Sequence, residues 1–226
     1  MSEVYFVRHG QASFGAANYD KLSPLGHQQS EWLGQYFHER EVQFDRVLLG
    51  DLVRHRETLD GILKGMSLTG SNPPLTQICP ELNEFAFGQL LQAYLTAFPG
   101  ESVPENPSPE VFFKYLRKAM QLWARNELDG PESWHSFEGR VLEILQLLQH
   151  QCRGERVLVV SSGGAIAMAL VKILKAPKET VVELNLQTRN TAVSHCYFNE
   201  RSMRLTSFNH VPHLDISGRL DCITYS

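Results

Sequence analysis

The stretch VLVVSSGGAIAMAL, residues 157–170, decides the fold. It begins with four aliphatic residues, 157–160, followed by Ser161. Such an apolar run is typical of a strand buried on both faces of a parallel sheet. Gly163 and Gly164 allow a tight turn, and the apolar run after them predicts a helix over 164–175 that ends before Pro177. A strand, a glycine turn and a helix in this order also form a common binding site for phosphate.

The same alternation of strand and helix runs along most of the chain. VYFV (4–7) and RVLLG (46–50) are predicted strands, and each precedes a predicted amphipathic helix, the first one opened by the Ser-Pro pair at 23–24. TAVSHCYF (191–198) and MRLTSF (203–208) flank the turn sequence NERS and predict a hairpin. The pattern indicates a three-layer αβα fold with a mainly parallel central sheet and an antiparallel edge.

Between residues 88 and 133 this alternation stops. FPGESVPENPSPE (98–110) has four prolines and no periodicity. It leads into a predicted helix at about 110–128, and a second predicted helix, 133–151, returns to the core. We therefore expect one domain, 1–226, carrying a small helical insertion at 88–133 that overhangs the site.

The composition is that of an ordinary globular protein and excludes several functions. The 226 residues are 42% apolar, and a net charge of −4 argues against binding nucleic acid. The N-terminus lacks the basic and apolar regions of a secretion signal, and no apolar run has the length of a membrane span, so we expect a cytoplasmic protein without a membrane partner. Four cysteines without metal spacing, Cys79, Cys152, Cys196 and Cys222, predict free thiols rather than disulfides; the oligomeric state stays open.

Polar residues follow three of the predicted strands, at the edge where an α/β sheet binds its ligands. They are Arg8-His9-Gly10, the segment 50–54 ending in Arg54, and the segment 161–164. Taken alone, each segment has an ordinary explanation. Arg8-His9 can be a surface pair, Arg54 a solvated helix residue, and the glycines of 161–164 a turn that allows close packing of the helix. Together they supply two guanidinium groups, an imidazole and a helix N-terminus, which suit a phosphate dianion.

Four segments in order resemble the histidine phosphatase superfamily, which includes cofactor-dependent phosphoglycerate mutase. VYFVRHGQ (4–11) is similar to its Arg-His-Gly motif, and LLGDLVRHRETLDGI (48–62) to its Ser-x-Leu-x-Arg-Ala-x-Gln/Glu-Thr-Ala segment, aligned from position 50. ELNEFAFG (81–88) resembles the segment that carries the proton-donating glutamate. VLVVSSGGAIAMAL resembles the strand followed by Ser-His-Gly-Gly. The resemblance runs from residue 4 to about residue 208.

The resemblance implies phosphoryl transfer through a phosphohistidine. His9 is then the nucleophile, Arg8 and Arg54 hold the phosphoryl oxygens, and Glu84 protonates the leaving group and later deprotonates water. Arg8, Arg54, Ser162, Gly163 and Gln11 are the expected substrate-binding residues. The chemistry calls for no metal and no cofactor. His210 and His213 form a weak candidate metal pair, for which a structural or surface role is the preferred interpretation.

The chain departs from the family pattern at three places. Ser162 stands where the pattern has its second histidine, and Gly50 where it usually has serine. Gln11 stands where mutases carry an acidic residue. By residue type alone, three other histidines are candidates to supply the missing charge: His55, His195 and His210. If Ser162 marks a missing donor, we expect Ser162→His to raise the rate or to tighten vanadate binding.

These observations predict a phosphomonoester hydrolase that acts on a small phosphorylated metabolite and releases inorganic phosphate. The insertion is short and has only four basic residues, Lys114, Arg117, Lys118 and Arg125, so hydrolysis is favoured over a sugar-phosphate mutase that must hold a bisphosphate. The alternative from another class is a phosphate-binding pseudoenzyme, because Ser162 lacks the charge of a histidine.

Overall fold

The computed structural model describes residues 2–13, 20–68, 74–104 and 108–225, without the side chain of Pro109. Within them a six-stranded sheet is flanked by helices on both faces. The strands are β1 (Ser2–Arg8), β2 (Arg46–Leu49), β3 (Leu75–Ile78), β4 (Arg156–Ser161), β5 (Val193–Phe198) and β6 (Met203–His210). The helices are α1 (Pro24–Glu39), α2 (Val53–Gly65), α3 (Phe87–Ala97), α4 (Pro109–Ala124), α5 (Trp134–Gln151), α6 (Gly163–Leu174) and α7 (Thr180–Gln187).

The strand order is β3-β2-β4-β1-β5-β6. The four strands from β3 to β1 are parallel, whereas β5 and β6 run antiparallel and close one edge. In the register of β1 and β4, Arg8 pairs with Ser161, so the residues that follow each strand leave the sheet side by side. The three-layer αβα fold with an antiparallel edge is confirmed.

Alternate residues of the strands belong to two separate cores. On one face Val47 and Leu49 of β2 and Leu158 of β4 pack with the apolar side chains of α1 and α2. On the other face Val157 and Val159 of β4 pack with those of α3 to α7. Burial on both faces explains why these strands are almost continuously apolar in sequence.

The helix ends follow local sequence signals. Ser23, Ser108 and Ser133 are the N-caps of α1, α4 and α5, and each side-chain oxygen accepts a backbone N–H of the first turn. Pro24 occupies the first turn of α1, where its missing N–H costs no hydrogen bond. Predicted and observed bounds therefore differ by only a few residues, as for α6, predicted over 164–175 and found at Gly163–Leu174.

Three elements were not predicted. Strand β3 lies at the sheet edge with all four of its residues exposed, so it carries no apolar alternation. Helix α3 lies at the start of the predicted insertion, which in the described residues thus carries two helices, α3 and α4. Helix α7 has only eight residues, too few for a clear period.

All four cysteines are free, as expected. Cys79, Cys152 and Cys196 are buried, and burial raises the pKa of each thiol, to about 11 for Cys79 and to about 12 for Cys196. No helix among the described residues is both long enough and apolar enough to span a bilayer.

Candidate active site

A cavity of about 550 Å³, including its open mouth, lies at the carboxyl ends of β1 and β4. Its inner part is formed by charged and titratable residues that follow the strands, and its outer part by apolar side chains from α3 and α4. The lining residues are Arg8, His9, Arg54, Glu84, Phe85, Phe87, Phe112, Phe113, Leu116, Asn185, Leu186 and Tyr225. The four residues predicted to be catalytic therefore share one cavity.

His9 is 3% exposed and has one defined ring orientation. Its Nδ1 lies 2.7 Å from the carbonyl oxygen of Gly10. Since a carbonyl only accepts, Nδ1 carries the proton, and Nε2 of the neutral ring keeps a free lone pair. Burial lowers the pKa of His9 well below its usual range, and Arg54 and Arg8 lower it further. The ring is thus held as a neutral imidazole, the form that a nucleophile requires.

Two buried arginines bring positive charge to the cavity. Nη1 of Arg8 donates to the carbonyl oxygens of Thr188 and Tyr225, the second at 3.0 Å. Nη1 of Arg54 donates to Oδ1 of Asp20 at 2.8 Å. These contacts hold both guanidinium groups in place, so that they bind an anion without losing side-chain freedom on binding.

Glu84 is held at the N-terminus of α6. Its Oε2 accepts the N–H of Gly164 at 2.9 Å, and a Cβ at position 164 would lie 2.2 Å from Oε1, so a larger residue there would displace the carboxyl group. Burial raises the pKa of Glu84 above its usual value, and this effect outweighs the opposing ones of the Gly164 N–H, Arg54 and Arg8. A carboxyl group with a raised pKa in the same cavity as a neutral imidazole is suited to act as a general acid.

Ser162 is fully buried, contacts Arg54 and lies outside the lining of the cavity. Its Oγ lies 3.4 Å from Nη2 of Arg54 and 2.8 Å from Nε2 of His55, which is also fully buried. Burial lowers the pKa of His55 well below its usual range, and Arg54 adds to this. The rings of His55 and His9 have centroids 5.9 Å apart.

The other candidate residues lie elsewhere. His195 contacts Thr206 at 2.6 Å and Glu3 at 3.2 Å, near the middle of the β1–β5 pairing. His210 is exposed at the end of β6, so neither of these two histidines reaches the cavity. Gln11 accepts a hydrogen bond from Ser23 at 2.7 Å, and neither Gln11 nor Gly163 is among the described lining residues.

His213 has a structural contact. It is buried with Nε2 2.8 Å from Oγ1 of Thr191, whose backbone N–H contacts the carbonyl oxygens of Arg8 and His9. Burial lowers the pKa of His213 to about 3. The described residues contain no group of three or more potential metal ligands.

Sequence reasoning missed several residues of the cavity. Asn185 and Leu186 come from the short helix α7, and Tyr225 comes from the end of the chain. Thr58 supports the nucleophile indirectly, because its hydroxyl accepts the N–H of Gly10 at 3.0 Å and donates to the carbonyl of Arg54 at 2.6 Å. Of these, only Thr58 has a signal in the sequence, as part of the motif aligned from position 50.

The chain belongs to the histidine phosphatase superfamily (branch 1), which it matches over residues 4–211. It is 27% identical to a metal-independent phosphoserine phosphatase of Arabidopsis thaliana, over 97% of this chain and 86% of that protein. It is 25% identical to a 2,3-bisphosphoglycerate-dependent phosphoglycerate mutase of Allorhizobium ampelinum, over 82% of this chain and 85% of that protein.

Solved structures show the same fold. A mutant of the phosphoserine phosphatase of Entamoeba histolytica, in complex with phosphoserine, superimposes with a TM-score of 0.65 at 19% identity, over 95% of this chain and 100% of that one. Taken with the family match, these relatives support an enzyme of the histidine phosphatase type, either a phosphatase or a mutase.

Proposed function

We propose that this protein hydrolyses phosphomonoesters through a phosphohistidine on His9. The observation that carries the proposal is the state of His9: a neutral ring whose Nδ1 proton is held by Gly10, in a cavity shared with two arginines and a glutamate whose pKa is raised. The distribution of charge matches the reaction, because the arginines stabilise the charge that spreads over the transferring group.

The reaction proceeds in two transfers. Nε2 of His9 attacks phosphorus while the bond to the ester oxygen breaks, and the Glu84 proton goes to that oxygen, so the alcohol leaves neutral. Water then attacks the phosphohistidine and gives a proton to the Glu84 carboxylate, and the P–N bond breaks. Inorganic phosphate leaves, Nε2 is free again, and Glu84 is protonated for the next cycle. No step needs a metal ion, because Arg8 and Arg54 supply the positive charge.

The outer wall favours an ester with an apolar leaving group. Phe87, Phe112 and Phe113 face the cavity together with Leu116, and Phe87 packs edge-to-face on Phe112 at 6.1 Å. An aromatic or alkyl group gains free energy by leaving water against such a wall.

Two basic side chains of α4 are paired with carboxylates, and none of the basic side chains of α4 is among the described lining residues. Arg117 is paired with Glu183 at 2.6 Å and Lys118 with Glu101 at 2.6 Å. Among the described lining residues the only basic ones are Arg8, Arg54 and His9. Hydrolysis is therefore favoured over mutase chemistry, which must hold a bisphosphate. The alternative of a phosphate-binding pseudoenzyme still rests on Ser162, which lacks the charge of a histidine.

The test is phosphate release from a panel that pairs apolar esters, such as 1-naphthyl and octyl phosphate, with phosphoserine and glycerol phosphate, in the presence of EDTA. His9→Ala is assayed in parallel, with His38→Ala on the exposed face of α1 as the matched control. We expect release that requires His9 but not His38, and alkali-stable labelled phosphate on the wild-type chain. Retained phosphate binding without turnover would instead support the pseudoenzyme. Isomeric esters without free phosphate would support a mutase.

A further inference from the structure

Three positions where the chain differs from the family pattern meet beside Arg54. By the alignment that the resemblance implies, they are Gly50 in place of serine, His55 in place of alanine, and Ser162 in place of the second histidine. They come from the end of β2, from α2 and from the residue that caps α6. Residues 55 and 162 are 107 positions apart in the chain yet in direct contact.

The ring of His55 fills the space between the other two positions. A Cβ on Gly50 would lie 2.3 Å from Nδ1 and 2.8 Å from Cε1 of that ring, closer than nonbonded atoms approach. On the other side, Nε2 already lies 2.8 Å from Oγ of Ser162. A Cβ at position 50 would also lie 2.6 Å from Oδ1 of Asn83, so the ring of His55 and the side chain of Asn83 together leave room only for glycine there. The ring of His55 also limits the size of the side chain at 162.

The hydrogen bonds of Ser162 connect His55 to Arg54. A guanidinium only donates, so the 3.4 Å contact with Nη2 of Arg54 uses a lone pair of Oγ. The stronger, 2.8 Å bond to Nε2 of His55 sets the direction in which the hydroxyl points. Because Asp20 holds Nη1 of the same guanidinium, Ser162 supports its other end. The orientation of Arg54 toward the cavity therefore depends on both contacts.

We propose that His55 is a positioning residue that returns a second imidazole to the site from a different helix, and that acts through the Ser162 hydroxyl to hold Arg54 against the phosphoryl group. The proposal rests on the proposed function, because it assigns a phosphoryl-binding task to Arg54. Both His55 and Ser162 are fully buried, which suits a supporting pair rather than groups that touch substrate.

The first experiment separates hydrogen bonding from packing. His55→Leu fills a similar volume without a polar group, whereas His55→Gln keeps a side-chain amide of similar reach, whose oxygen accepts and whose N–H donates. We expect kcat/KM to fall about ten- to hundredfold in His55→Leu, mainly in kcat, because Ser162 loses the partner that fixes its hydroxyl beside the charged Arg54. His55→Gln should recover at least half of that loss on a logarithmic scale. The thermal midpoint of each variant reports packing independently. Equal activity of His55→Leu and wild type would overturn the proposal.

The second experiment tests whether the imidazole at position 55 takes the place of one at position 162. In Ser162→His the new ring meets the ring of His55, so we expect this single variant to lose activity, contrary to the expectation from sequence alone. His55→Ala should lose activity as well. The double variant His55→Ala/Ser162→His makes room for the new ring and should be more active than either single variant. If the loss of activity in the double variant equals the sum of the two single losses on a logarithmic scale, the proposal is contradicted.

Failure of this inference can be told from failure of the proposed function. If the wild-type chain releases phosphate in a His9-dependent manner, the kinetics of the variants decide the inference directly. If it releases none, the proposed function fails, and vanadate affinity of the same variants is measured instead. A ten- to hundredfold weaker affinity in His55→Leu, recovered in part by His55→Gln, would still support the role of His55. Unchanged affinity would overturn it.

Discussion

On the phosphoryl side of the cavity, Arg8, His9 and Arg54 are between 3% and 8% exposed, and each is fixed by at least one hydrogen bond. On the outer wall, Phe87 and Phe112 are partly exposed, and their rings pack edge-to-face on each other. The phosphoryl side therefore presents charged groups held by hydrogen bonds. The outer wall presents mainly apolar surface.

This difference separates the residues proposed to act on the phosphoryl group from the residues proposed to contact the leaving group. Charged hydrogen bonds depend steeply on geometry, so we expect the phosphoryl side to accept one group in one orientation. Apolar contact depends mainly on buried area, so the outer wall accepts leaving groups of varied shape. Changes on the phosphoryl side should therefore affect all substrates equally, whereas changes on the wall should depend on the leaving group.

Glu84 lies where the two sides meet, and its variant should show the largest effect. We expect Glu84→Gln to reduce kcat/KM by about 10²- to 10⁴-fold for alkyl phosphates, whose leaving oxygen needs a proton. The loss should be much smaller for 4-nitrophenyl phosphate, which leaves as a stable anion. Steady-state rates with the two esters measure the difference, with Glu81→Gln on the preceding short turn as the control. Equal losses for both esters would exclude Glu84 as the acid.

Arg54→Ala tests whether the phosphoryl side acts uniformly. Removing this guanidinium should lower kcat/KM by about 10²- to 10³-fold, by the same factor for every ester, because the phosphoryl group is common to all. Vanadate affinity should fall as well. Arg56→Ala, at an exposed position on the same helix, is the matched control. A loss that varies with the leaving group would contradict the separation of the two sides.

The pH dependence sharpens the assignment of acid and nucleophile. Since the pKa of Glu84 is raised, kcat/KM should decrease about tenfold per pH unit once the pH exceeds that pKa, as the acid loses its proton. Since the pKa of His9 is well below 6.5, no acid limb should appear near pH 6.5, and activity should persist on the acidic side of it. A profile of kcat/KM from pH 4 to 9 measures both limbs. An acid limb at about 6.5 would mean that His9 titrates as an exposed imidazole.

The smallest effect is expected on the outer wall. Phe112→Ala should raise KM about fivefold for 1-naphthyl phosphate, since a partly exposed ring contributes about 1 kcal/mol of apolar contact. It should leave kcat and the KM of a small ester such as glycerol phosphate unchanged. Lys114→Ala, exposed on the same helix, serves as the control. An equal change for the large and the small ester would place Phe112 outside the leaving-group site.

Much of the fold and the inner site is readable from the chain because the signals are local. Continuous apolar runs such as 157–160 predict strands buried on both faces, and the polar residues directly after them must emerge at one edge of a parallel sheet. His9 follows β1 by one residue and Arg54 lies in the first turn of α2, so their meeting follows from topology. Strand β3 and helix α7 escaped prediction because exposure and shortness remove the periodic pattern.

The sequence by itself thus predicted the αβα class, and the resemblance of its motifs predicted the arginines and histidine of the phosphoryl side and the glutamate of the third motif. Only the tertiary structure decided which of three candidate histidines meets Ser162, because that contact joins α2 to the start of α6 across 107 positions. It also decided that Asn185, Tyr225 and the phenylalanines of α3 and α4 line one cavity. Sequence patterns predict the strands, and backbone hydrogen bonds between the strands then align their ends. Contacts between helices depend on packing in three dimensions, which no local pattern records.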